Sequence, residues 1–310
     1  MASSGAHVDL GRGCHVWLPE SGGWGHSNSG LVAGTGESLL VDTLFDVAST
    51  SRLLTAMQDV VATAPVERVV NTHGNGDHWF GNQLLSDREI IAAAPTAAEM
   101  RAVGPAEVRA LLAQQGRAGA FARRVFRGFD LSDVEPVYPA TLYVDELDLV
   151  VGGTDVRLID VGPAHTAGDT IVHVPSAGVV YTGDIVFAGG TPIVWTGPIG
   201  NWLRACDLIC ELGVCTVVPG HGLVTTVRAV RAQAAYLRFV QEEAAARHEK
   251  GMTFVEAAQD IDLREYGDLP EHERLVVNVH AVYRELDPDI PALEGPSAFA
   301  CMGEFMEDLV

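Results

Sequence analysis

The run Thr72-His73-Gly74-Asn75-Gly76-Asp77-His78 constrains this chain more than any other stretch. His73, Asn75, Asp77 and His78 stand within six residues, directly after the strand-like Val66-Glu67-Arg68-Val69-Val70. Imidazole and carboxylate are the ligands that suit zinc and its neighbouring transition metals. Gly74, Gly76 and Gly81 let the backbone turn tightly enough to aim those side chains at one point. A fold that carries this motif must end a strand in a tight loop and bring further ligands to it.

Three later segments offer them. His165 lies in Gly162-Pro163-Ala164-His165-Thr166-Ala167-Gly168-Asp169, Asp184 closes Val179-Val180-Tyr181-Thr182-Gly183-Asp184, and His221 follows Val217-Val218-Pro219-Gly220. Each stands after an apolar segment and near glycine, the pattern of ligands on loops at strand ends.

In this order and context the seven positions resemble the metallo-β-lactamase fold superfamily. Its first motif is usually His-x-His-x-Asp-His, followed by a His, an Asp and a final His. The resemblance runs from about Trp24 to Gly222. It implies an α/β chain built as a four-layer αβ/βα sandwich. It also implies that His73, Asn75 and His165 face a first metal, that Asp77, His78 and His221 face a second, and that Asp184 bridges the two. Asp77 then doubles as the catalytic residue that orients the attacking water. The expected cofactor is Zn2+, one or two per chain, with Mn2+ or Fe2+ as alternatives. Asn75 is the departure, since the family usually has His there. An amide oxygen is a weaker and harder ligand than imidazole, so the first site is expected to be weak, empty or filled by a harder metal. The other reading of Asn75 is a turn or capping role, common for Asn-Gly.

With 310 residues and 47% hydrophobic content the chain can bury a large core. One α/β domain over 1–310 is expected, with a helical insert at 95–128 and C-terminal helices at 226–290. The net charge of −21 argues against nucleic acid or an anionic membrane as partner. No apolar stretch reaches the ~18–20 residues of a membrane span, and the start of the chain lacks a basic and apolar leader, so the cytoplasm is the expected location. Lys250 is the sole lysine, which leaves almost no candidate for a lysine clamp on a substrate carboxylate. Cys14, Cys206, Cys210, Cys215 and Cys301 show no disulfide framework.

Periodicity predicts strands at 14–18, 28–32 and 38–41, a helix over 46–63 and a strand at 66–71. Further strands are expected at 141–144, 147–151, 155–161, 170–174, 178–182 and 214–218, with helices at 199–212, 226–249, 253–260 and 271–286. The Ala- and Arg-rich insert at 95–128, with Phe121, Phe126 and Phe129 at its end, reads as a lid, a dimer surface or a solvated decoration.

A metal held by His and Asp lowers the pKa of bound water from ~15.7 toward ~7, which makes hydrolysis possible at neutral pH. No Gly-x-Ser-x-Gly elbow or dinucleotide-binding Gly-x-Gly-x-x-Gly is present. Trp24, His26, Trp79, Trp195 and Trp202 flank the ligand motifs and are expected to contact a flat or apolar substrate; core packing is the other reading. The stretches at 71–82, 197–202 and 273–280 resemble an actinobacterial branch of the superfamily that includes thioesterase/cyclases of aromatic polyketides. The leading expectation is therefore a hydrolase of an ester, thioester or lactone, acting on a small-molecule substrate or a thioester bound to a carrier protein, with a homodimer as one assembly. β-Lactamase-like and glyoxalase-II-like hydrolysis are alternatives within that class. A mononuclear iron oxygenase on the same scaffold is a different class, and a metal-stabilised binding protein is a third.

Overall fold

Alternating side chains decide how the strands pack. In the computed structural model, which describes residues 5–293 and 295–308, Cys14 and Val16, Leu39 and Val41, and Val70 and Ile91 face inward from one sheet. Val156 and Leu158, Val172 and Val174, and Val179 and Tyr181 face them from a second. The residues between point the other way. Trp17, Leu31, Leu40, Val69 and Ile90 meet one layer of helix, while Ile159, Ile171, Val180 and Val217 meet another. A strand covered on both faces is buried at every position and mostly apolar, as Ser38–Val41 and Thr170–Val174 illustrate. The layers therefore run helix, sheet, sheet, helix.

The first sheet is β1 (Gly5–Gly11), β2 (Cys14–Pro19), β3 (Ser29–Ala33), β4 (Ser38–Val41), β5 (Val66–Val70), β6 (Glu89–Ala93) and β7 (Thr141–Tyr143), adjacent in chain order. It is antiparallel from β1 to β4 and parallel from β4 to β7. The second holds β8 (Glu146–Val151), β9 (Thr154–Asp160), β10 (Thr170–Val174) and β11 (Val179–Tyr181), with β13 (Thr216–Val218) parallel to β11. β12 (Phe187–Ala188) and β14 (His221–Gly222) form a short parallel ladder beside it.

The expected helix over 46–63 is two, α1 (Val47–Ala56) and α2 (Gln58–Val61), broken at Met57. The insert folds as α3 (Ala94–Ala102), α4 (Pro105–Ala113) and α5 (Arg117–Val125). On the outer face of the second sheet lie α6 (Ile199–Glu211), α7 (Val227–His248), α8 (Phe254–Asp260) and α9 (Arg274–Leu286). A further helix, α10 (Gly295–Asp308), packs along α5. β1, β6 and α10 were not among the expected elements. No helix among the described residues is long and apolar enough to cross a membrane.

Candidate metal centre

Four strand ends deliver the ligand candidates to one point. The loop after β5 carries His73, and a 3-10 turn at Gly76–His78 presents Asp77 and His78. His165 stands on the loop between β9 and β10, Asp184 in a 3-10 turn after β11, and His221 at the start of β14. Gly220 has to be glycine, because a Cβ there would overlap Asp184 Oδ1.

Asp184 is the hub. Its Oδ2 lies 3.2 Å from His221 Nε2, 3.4 Å from His165 Nε2 and 3.7 Å from His73 Nε2, and its Oδ1 lies 3.2 Å from His78 Nε2. Asp77 Oδ2 sits 3.4 Å from His221 Nε2 and 3.8 Å from His78 Nε2. The ligand atoms of His73, His165 and Asp184 lie within 4.8 Å of one another, as do those of Asp77, His78 and His221.

The far side of each imidazole explains its aim. Asp42 accepts hydrogen bonds from His78 Nδ1 (2.9 Å), from the Thr72 hydroxyl (2.7 Å) and from the Thr72 backbone N–H (2.7 Å). The Thr72 oxygen in turn lies 3.0 Å from His73 Nδ1 and accepts its proton. His165 Nδ1 donates to the Ile193 carbonyl (2.7 Å) and His221 Nδ1 to the His26 carbonyl (3.1 Å). Each ring thus has a fixed acceptor for its Nδ1 proton and turns Nε2 to the centre, the arrangement of metal-ligating histidines. His73 Nε2, His78 Nε2 and Asp184 Oδ1 are buried without a hydrogen-bond partner. Buried polar atoms are ordinarily paired, and a divalent cation among these donors would pair them. The residues present fit the metal that the motif implies.

Charge separates the two groups. Burial lowers His165 to about 4, and burial followed by the neighbouring His78 holds His73 well below its ordinary range. Burial opposes protonation of His78 and His221 as well, but Asp184 and Asp77 outweigh it; His78 is raised well above its ordinary value and His221 to about 9. Asp77 falls to about 2, because His78 and His221 overcome its burial.

Asn75 is half-buried at the first group, its Nδ2 lying 3.0 Å from His165 Nε2. It makes no side-chain capping bond to the turn it precedes. The amide faces the space that a third ligand would fill, and turning it end for end would present Oδ1 there.

The aromatic candidates divide. Trp24, His26 and Trp195 are half-buried around the centre. Trp24 packs on Phe121, Phe126, Trp195 and Phe299, and His26 on Phe129. Trp79 and Trp202, expected among the substrate contacts, have no exposed surface. Trp79 Nε1 donates to the Gly74 carbonyl and Trp202 Nε1 to the Ile185 carbonyl, both at 2.9 Å. They brace the ligand loops from behind, where a fully buried ring meets no substrate.

Several residues that shape the centre were not expected from sequence. Asp42 orients His73 and His78. Asp169 accepts from the Ala164 and Thr166 backbone N–H groups and the Thr166 hydroxyl, which clasps the His165 loop, and burial pushes it up to about 7. Glu99, from α3, reaches the Ala167 N–H of the same loop at 3.4 Å.

A sequence model of the metallo-beta-lactamase superfamily matches residues 22–221. The curated 2,4-dinitroanisole O-demethylase subunit alpha of Nocardioides sp. (strain JS1661) is 28% identical over 189 residues, 59% of this chain. The match spans about half (48%) of that relative's length. Among solved structures, a metallo-beta-lactamase from Pontibacter korlensis aligns with a TM-score of 0.56 at 16% identity, covering 75% of this chain and 98% of that one. The stereoselective inverting sec-alkylsulfatase Pisa1 from Pseudomonas sp. aligns with a TM-score of 0.61 at 17% identity, covering 91% and 50%. The chain belongs to the metallo-beta-lactamase superfamily.

Proposed function

We propose that this superfamily member is a metal-dependent hydrolase that cleaves an ester, thioester or lactone of an aromatic substrate. The observation that carries the reading is the pair of three-residue ligand groups around Asp184, with the Nε2 atoms of His73 and His78 buried and unpaired. His73, His165 and Asp184, with Asn75 beside them, would hold a first divalent ion, and Asp77, His78 and His221 a second. Such an ion supplies activated water, by lowering its pKa toward ~7, and polarises a carbonyl oxygen. Asp77, holding the ion through one carboxylate oxygen, would leave the other to accept a hydrogen bond from water and fix its direction of attack. Asp42 keeps two of the rings in register through the reaction.

The finer reading is a thioesterase/cyclase of aromatic polyketides, its substrate carried as a protein-bound thioester. The rings of Trp24 and Trp195 beside the centre support an aromatic substrate. The curated relative supports one too, since its name specifies removal of a methyl group from oxygen on a dinitrophenyl ring. An aryl ester therefore belongs among the first substrates to try. The test is hydrolysis of an aryl ester and an aryl thioester by protein stripped with chelator, then reloaded with zinc or manganese. Turnover should vanish on stripping and return on reloading. Undiminished turnover in metal-free protein rejects the reading.

Asn75 favours one second reading, a single-metal centre of two His and one carboxylate holding iron in an oxygenase. Metal analysis of protein isolated without added metal separates the two. Two zinc ions per chain with no oxygen uptake excludes the oxygenase.

A further inference from the structure

A cavity of about 150 Å³ opens beside His221. The glycine turns Gly22–Gly23 and Gly189–Gly190 form part of its wall, and Glu271 and Arg274 border it. We infer that Glu271 and Arg274 form a recognition site for an uncharged head group on the substrate, one that both accepts and donates hydrogen bonds, such as a carboxamide. The inference rests on the hydrolase reading and adds to it the chemistry of the substrate's far end.

Arg274 is 3% exposed, an unusual depth for a guanidinium. It lies 4.4 Å over the Trp24 ring and 5.3 Å from that of Phe187. Its Nη1 donates to the Thr191 carbonyl at 2.7 Å and stands 2.9 Å from Glu271 Oε2, whereas its Nε is buried without a partner. Packing and one ion pair therefore hold the group in place and leave part of its donor capacity unused. Glu271 is held as well, in the left-handed backbone region (φ 63°) that a non-glycine residue rarely adopts. Such strain persists where the surroundings fix it, and it concentrates at ligand sites. Glu271 thus stands at the wall with a fixed backbone and an acceptor carboxylate beside a donor.

The charge balance selects the ligand. Arg274 already has its counter-charge in Glu271, and a second carboxylate, Glu273, holds the Trp24 indole on which the guanidinium lies. A substrate carboxylate would meet Glu271 as a like charge in a desolvated wall. A carboxamide gives its carbonyl to Arg274 and its N–H to Glu271 and leaves the pair neutral.

Three esters with one scissile bond and a remote carboxamide, carboxylate or isopropyl group test this in the zinc-loaded enzyme. The carboxamide ester should exceed both others in kcat/KM by about tenfold or more, a difference of ~1.4 kcal/mol. Glu271→Gln leaves the guanidinium without its counter-charge, so the carboxylate ester should gain on the carboxamide ester by about tenfold. Arg274→Lys, which lacks the planar fork, should lose the carboxamide preference. A wild-type preference for the carboxylate or isopropyl ester overturns the inference, as does a ranking that neither substitution alters. Glu271→Gln preserves side-chain shape and carries the test alone should Arg274→Lys not fold. Binding of the three matching non-cleavable ethers, measured by calorimetry, separates recognition from chemistry. The same ranking among ethers, with no ester turned over, refutes hydrolysis and leaves the recognition site standing.

Discussion

Asn75 holds the position where the superfamily motif usually has His, and the amide faces the first ligand group across 3.0 Å. Imidazole binds zinc better than a neutral amide, so Asn75→His should raise zinc affinity at that group by about an order of magnitude, within the range expected when a metal's surroundings are altered. Zinc titration against a competing chelator reads this as a second tight equivalent. An unchanged isotherm means that residue 75 does not reach the metal. The candidate ligands that the structure brings together were legible because each His or Asp lies near a glycine after an apolar segment, and chemistry of that kind is written locally. Asp42 was not. It also ends an apolar run, Leu39-Leu40-Val41, yet it stands outside the motif, and only the fold brings it 2.9 Å from His78. Trp79 and Trp202 failed for the converse reason. Proximity in sequence to a ligand loop does not say on which side of the loop a ring will pack.

At the scale of elements, α5 and α10 form one unit. Phe121 of α5 and Phe299 of α10 pack ring to ring at 5.7 Å, and both meet Trp24. Phe121 is 4% exposed and does not border the cavity beside His221. Its truncation should cost ~3–5 kcal/mol of stability, as for other buried aromatic rings, measured from denaturant midpoints of Phe121→Ala. If the insert also holds large substrates, kcat/KM for a bulky aryl thioester should fall further than for a small one. Equal losses would assign the ring to packing alone. Strands buried on both faces were the most legible elements, because a short continuous apolar run leaves few alternatives. Three others were masked by their neighbours or their composition. β6 (Glu89-Ile90-Ile91-Ala92-Ala93) runs with no intervening loop into α3 at Ala94-Pro95, and the exposed positions of β1 give a weak pattern. α10 opens Gly-Pro-Ser, poor helix formers that hide the apolar stripe behind them.

Over the whole molecule, the unpaired centre couples folding to pH. In metal-free protein His221 titrates at about 9 and His78 well above its ordinary value, so both contribute stability that is complete below pH 6.5. That contribution is lost as pH rises through the folded-state values. On the acid side two shifts oppose each other. His165, lowered to about 4, costs stability as pH falls below 6.5; Asp169, raised to about 7, gains it over much of the same interval. The alkaline limb is therefore the clean readout. The urea midpoint of chelated protein should fall between pH 6.5 and 9. Zinc-loaded protein should lack that fall, because bound metal requires neutral imidazoles. A flat profile in chelated protein would show that the two rings are not protonated there.

The contacts of Trp24 carry one more consequence, about time. The indole hydrogen-bonds to Glu273, stacks under Arg274 and touches Phe299, partners that follow it by 249 residues and more. A ribosome makes Trp24 long before these three partners, and Phe121, Phe126 and Trp195, which it also touches, in between. Synthesis delivers the candidate ligands from His73 to His221 before Glu273, Arg274 and Phe299 can complete this wall beside them. The order of synthesis thus permits an order of assembly: candidate ligand cluster first, the wall of Trp24, Arg274 and Phe299 afterwards.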